Sequence, residues 1–127
     1  ALFGKEFNLS NSKKSKKTFS FDAKVSYSGG KRATPWSAVY NPTENRYSRE
    51  WDTSKAYELQ LRDYFKTDLT IRYKLNKLGF TQEWAIEVTN LFNNKNIYGD
   101  RFNTRTGESQ WVYQLGIMVI PQYRITF

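Results

Sequence analysis

An all-β fold is the expectation for this chain of 127 residues, and three observations carry it. Apolar and polar residues alternate one for one through several segments, as they do in a strand whose two faces meet different surroundings. Between those segments lie runs rich in Asn, Gly, Ser, Pro and Lys, which supply turn chemistry. No apolar run approaches the roughly 18 residues that a spanning helix needs, in keeping with a mean hydropathy of −0.75. A low average leaves membrane strands untouched, because alternating residues cancel in it.

Residues 1–9 read as a strand with Phe3, Phe7 and Leu9 on one face. It opens in mid-pattern, as a fragment or an exported mature product would. SNSKKSKK (10–17) is a polar turn. Its lysines, Lys13, Lys14, Lys16 and Lys17, read as a solvated linker rather than a binding patch. A strand over 18–29 sets Phe19, Phe21, Ala23, Val25 and Tyr27 against Ser20, Asp22, Lys24, Ser26 and Ser28. From 30 to 64 the rhythm disappears and Pro35, Asn41, Pro42 and Asn45 punctuate a long loop, with room for a short helix near 54–61.

Order returns at 65–76, where Phe65, Leu69, Ile71, Tyr73 and Leu75 oppose Lys66, Asp68, Thr70, Arg72 and Lys74. The NKLG turn (76–79) leads to a strand over 81–92 carrying Trp84, Ile86 and Val88. Its parity falters at Asn90, where a bulge or a membrane boundary is expected. A second loop, 93–110, has its tip at Thr106 and Gly107. The last strand spans 111–127, and every odd residue from Trp111 through Leu115, Ile117, Val119 and Tyr123 to Phe127 is apolar.

Aromatics flank aliphatics on these faces, which is the girdle order of a transmembrane strand, and the connections alternate short and long as periplasmic turns and extracellular loops do. The expected architecture is therefore an antiparallel transmembrane β-barrel segment. Its lipid-facing residues would be Phe19, Phe21, Val25, Leu69, Ile71, Tyr73, Trp84, Ile86, Val88, Leu115, Ile117, Val119, Tyr123 and Phe127. A strand of a soluble sandwich shows the same alternation, so that class stays open.

Composition narrows function. With no cysteine and no histidine, the chain has no thiolate metal site, no Ser-His or Cys-His pair, and no call for a cofactor. An enzyme is not expected. The net charge of +8 is spread along the chain, so nucleic acid is not an expected partner either.

Four segments carry a resemblance: GGKRATPW (29–36), RDYFKTDLTIRYKLN (62–76), EVTNLFNNKN (87–96) and QLGIMVIPQYRITF (114–127). In this order over residues 18–127 they resemble the C-terminal end of TonB-dependent outer-membrane receptors of the Bacteroidetes type. The resemblance implies the last four to five strands of a larger plugged barrel of the ~22-stranded class, a wall for nutrient uptake in the bacterial outer membrane. The implied partners are the remainder of the barrel and its plug, outer-membrane lipid, the TonB-ExbB-ExbD complex through an N-terminal part not in this sequence, and a surface lipoprotein. Two residues depart from the pattern. Pro121 lacks a ladder donor, and Gln122 stands where the C-terminal assembly signal of many outer-membrane proteins has Gly.

The loop candidates for ligand contact are Trp36, Tyr40, Tyr47 and Trp51 in the first loop, beside Tyr57, and Arg101 and Phe102 in the second, beside Arg105. Aromatics stack on rings and arginines pair with anions; packing of loop on loop is the plainer use of the same side chains. On the opposite face Lys66, Arg72, Lys74 and Arg124 suit a path for an anion, or local neutralisation by Glu83 and Glu87 across a hairpin. A soluble secreted carbohydrate-binding module using Trp36, Trp51 and Trp111, and a multichain pore, are the alternative readings.

Overall fold

The structure, a computed structural model, describes residues 1–12 and 15–127; the expectation for Lys13 and Lys14 lies outside them. Among the described residues the fold is all-β with antiparallel sheets, and no closed barrel is seen. It divides into two compact units, one of residues 1–26, 65–94 and 115–127, the other of residues 27–64 and 95–114.

The first unit is built on a five-stranded sheet. Its strands are β1 (Leu2–Ser12), β2 (Ser15–Ser28), β7 (Tyr64–Lys77), β8 (Phe80–Thr89) and β11 (Met118–Thr126), in the order β1-β2-β7-β8-β11. β1 and β2 form an antiparallel hairpin that places Phe7 opposite Phe19 and Phe3 opposite Ala23, with a bulge between Asn8 and Ser10. Lys5 shares that face opposite Phe21, its ammonium 5.3 Å from the centre of the Phe7 ring.

β7 and β8 close on the two-residue turn Leu78–Gly79, and β8 pairs with β11 on its other side. Period two then stacks the apolar residues in rows three strands wide: Leu69–Val88–Val119, Ile71–Ile86–Pro121 and Tyr73–Trp84–Tyr123. The last row is an aromatic belt, with ring centres 5.7 and 5.5 Å apart. Phe65 stacks on Phe92 at 6.2 Å toward the other end of the band.

These rows are not sealed in a core. Ile86 and Val119 are 51 and 58% exposed, Ile71 is also exposed and Leu69 is half-buried; Ile117, expected on the same face, is exposed but lies outside any strand. Among the described residues Ala85 is the one buried hydrophobic side chain. It lies on the opposite face, across from Arg72. That face carries the charges. Glu83 sits directly between Lys74 and Arg124 and pairs diagonally with Arg72, whose Nε is 3.6 Å from its Oε1. Lys66 pairs with Asp68 at 3.1 Å. Local neutralisation is therefore the observed arrangement around Arg72 and Lys66.

The structure corrects several boundaries. β1 runs to Ser12 and β2 starts at Ser15, inside the expected turn 10–17, and the expected loop 93–110 carries β9 (Ile97–Phe102) and the start of β10 (Ser109–Tyr113). Residues 30–64, expected as a loop, carry β3 (Arg32–Ala33), β4 (Trp36–Asn41), β5 (Arg46–Trp51) and β6 (Leu59–Gln60), with a 3-10 turn at Thr53–Lys55 where a short helix had room. The expected strand over 111–127 is broken. Trp111 and Tyr113 belong to β10 (Ser109–Tyr113), which pairs with β9 (Ile97–Phe102), and pairing with β8 starts only at Met118. Leu115 is exposed and lies outside any strand. At Asn90, φ is +51° and β8 has ended, which accounts for the lost parity.

Candidate functional site

The second unit holds the ligand candidates on two hairpins. In the β4–β5 hairpin the register sets Trp36 opposite Trp51, Ala38 opposite Arg49 and Tyr40 opposite Tyr47. Ala38 is small, which leaves room beside Trp36 for the Arg49 guanidinium. That group lies 4.6 Å from the centre of the Trp36 ring, 4.9 Å from Phe102 and 5.8 Å from Trp51. Trp36 and Phe102 meet edge to face at 5.2 Å.

On the β9–β10 hairpin, Asp100 stands opposite Trp111 and Phe102 opposite Ser109, all on one face; Arg101 and Gln110 take the other. Asp100 forms an ion pair with Arg49 and accepts a 2.8 Å hydrogen bond from Ser109 Oγ. A cation held between aromatic faces and neutralised by a carboxylate is a strong local tie, each cation–π contact contributing about 0.5–2 kcal/mol. The buried Nε of Arg49 has no hydrogen-bond partner among the described residues.

Trp36, Trp51, Trp111 and Asp100, joined by Leu59 and Tyr98, wall a cleft of about 110 Å³. A second, of about 310 Å³, is lined by Pro35, Trp36, Leu59, Asp100, Ser109 and Trp111. Trp51 and Trp111 are about half exposed and Tyr98 more so. The chemistry available is stacking on flat apolar surfaces beside an acceptor whose charge is already balanced.

Of the six sequence candidates, Trp36, Trp51 and Phe102 come together around Arg49. Arg101 does not join them; it lines a separate depression of about 300 Å³ with Arg105 and Glu108. Tyr40 pairs with Tyr47 at 5.2 Å and donates a 2.6 Å hydrogen bond to Asn45 Oδ1. The Tyr47 amide donates to the Thr104 carbonyl at 2.7 Å. Gly107, at φ +72°, sits so near the Tyr47 ring that a β-carbon there would lie 2.8 Å from it. Tyr47 is thus engaged in packing hairpin on hairpin. Sequence reasoning missed Arg49, Asp100 and Ser109, and gave Trp111 to the wrong strand. The alternation in RYSREW (46–51) was the signal that would have placed Arg49 beside Trp51.

The base of the first excursion is clasped. Asp63 accepts from the Tyr27 hydroxyl at 2.6 Å and from the Gly30 amide at 2.8 Å. Those two bonds, the tyrosine's first, hold its pKa below the ordinary carboxylate value. Asp52 is likewise lowered, chiefly by the hydrogen bond from the Ser54 hydroxyl, and it accepts from the Ser54 amide where the 3-10 turn starts. No family model, curated protein or solved structure matches this chain.

Proposed function

We propose that this chain is wall and loop of a TonB-dependent outer-membrane receptor: its strands complete a barrel for nutrient uptake, and its excursions present a ligand-facing cleft outside the cell. The observation that carries the reading is the three-strand apolar face with its aromatic belt, left exposed while, among the described residues, Ala85 alone is a buried hydrophobic side chain. A soluble module of this length would spend such residues on a core, and contiguous apolar surface of this kind marks a membrane or protein interface.

The spacing agrees. From Phe65 to Tyr73 the strand rises about 27 Å at ~3.3–3.4 Å per residue. At a tilt of about 40° that is about 20 Å along the membrane normal, near the ~25 Å of an outer-membrane apolar band. Five strands are fewer than the roughly eight of the smallest single-chain barrels, so the free sides of β1 and β11 are where further wall would join.

The intact mass of the protein as isolated from cells, with its partition between membrane and soluble fractions, tests this. A polypeptide several times longer, in the outer membrane, is the expected result. A chain of this length that stays in solution without detergent would support the carbohydrate-binding module instead. A detergent-stable oligomer of the short chain would support the multichain pore, and either outcome overturns the receptor reading.

A further inference from the structure

Asn90 is the most deeply buried large side chain among the described residues, at 1% exposure. A buried amide has two donors and one acceptor to satisfy; here two of the bonds close the local turn to Asn94 and one crosses to the returning chain at Leu115. Its Nδ2 donates to the carbonyls of Asn94 and Leu115 at 3.0 and 3.1 Å, while its Oδ1 accepts from the Asn94 amide at 3.0 Å. The backbone around it is tied as well. The Asn90 amide donates to Asp68 Oδ1 at 2.9 Å, Leu91 N–H to the Thr67 carbonyl at 2.8 Å, and Asn94 Nδ2 to the Phe65 carbonyl at 3.2 Å.

Asn93 completes the set from a second left-handed position, φ +51°, accepting from the Ile117 amide at 3.1 Å. Gly116 leaves space for that contact, since a β-carbon there would lie 2.6 Å from Asn93 Oδ1. The chain leaves the sheet unit between residues 94 and 95 and re-enters between 114 and 115. The asparagine bonds thus join the point of departure to the point of return.

We infer that Asn90 is a staple closing the base of the 95–114 excursion: its side chain holds 91–94 against 115–117, and losing it loosens those two segments without loosening the β7–β8–β11 ladder. The pairing of β8 with β11 starts at Thr89 and Met118, immediately beside the staple. This does not depend on the membrane reading, since it concerns a hydrogen-bonded ring and not what covers the apolar face.

Amide hydrogen exchange on the intact protein tests it with Asn90→Gly, which tolerates the left-handed φ but removes all three side-chain bonds. Exchange in 91–94 and 115–118 should rise on the order of tenfold or more, as expected for lost bonds at about 0.5–1.5 kcal/mol each. The ladder between 69–77 and 81–88 should stay as it was. Asn93→Gly, a milder change, should speed the Ile117 amide alone. Unchanged exchange at 91–94 and 115–118 would overturn the inference, and so would a rise shared equally by the whole ladder. If Asn90→Gly does not fold, Asn93→Gly decides: an unaltered Ile117 amide overturns it.

Discussion

Asp63 shows how one side chain fixes the geometry of a loop base. Its two oxygens are divided between the Tyr27 hydroxyl and the Gly30 amide, and both bonds are stronger to the carboxylate than to the neutral acid. Because the folded pKa lies below the unfolded one, the clasp contributes in full above the ordinary carboxylate value of about 3.9 and is lost as pH falls through the lowered folded value. The Gly30 amide resonance should therefore hold its position from neutral pH down past that ordinary value and shift only in stronger acid. A Tyr27→Phe variant should titrate at higher pH than the parent; coincident titrations would show that the tyrosine bond does not act on Asp63. None of this was legible in the sequence, because the partners are 36 and 33 residues apart. The Arg49–Asp100 pair, 51 residues apart, escaped for the same reason.

At the scale of elements, the strongest period-two segments were legible and the mixed ones were not. β2, β7 and β8 alternate cleanly, and the hairpin register follows from that alternation. β4 and β5 are six residues each, too short to establish a rhythm, and β5 carries Arg49 and Glu50 between its aromatics, so they read as loop. The odd-residue rhythm from Trp111 to Phe127 runs straight through the break at 114–117 because two environments want the same apolar parity: Trp111 lines the cleft, Val119 the exposed band. On the charged face, Glu83 stands among Lys74, Arg124 and Arg72. Glu83→Lys would set four cations together. With like charges across a ladder costing up to about 1 kcal/mol per pair, the loss should be about 1–3 kcal/mol, seen as a lower melting temperature; an unchanged one would mean that the pairing contributes nothing.

For the whole molecule, what matters is how little the sheet hides. A domain of this length normally buries most of its large apolar side chains, yet here the rows through Ile71, Ile86 and Val119 lie on the outside. The odd-even pattern in the sequence announced two unlike faces. It did not say whether the apolar one was covered by protein, because alternation is the same for a sandwich and a membrane wall. The chain has no native cysteine, so single cysteines can be spin-labelled one at a time from 83 to 88 in the membrane-embedded protein. If hydrocarbon covers the apolar face, labels at 84, 86 and 88 collide with oxygen dissolved in lipid and are shielded from a water-soluble relaxant, while those at 83, 85 and 87 are not lipid-accessible. The same accessibility at all six positions, or shielding of 84, 86 and 88 from both relaxants, would contradict a lipid-facing wall.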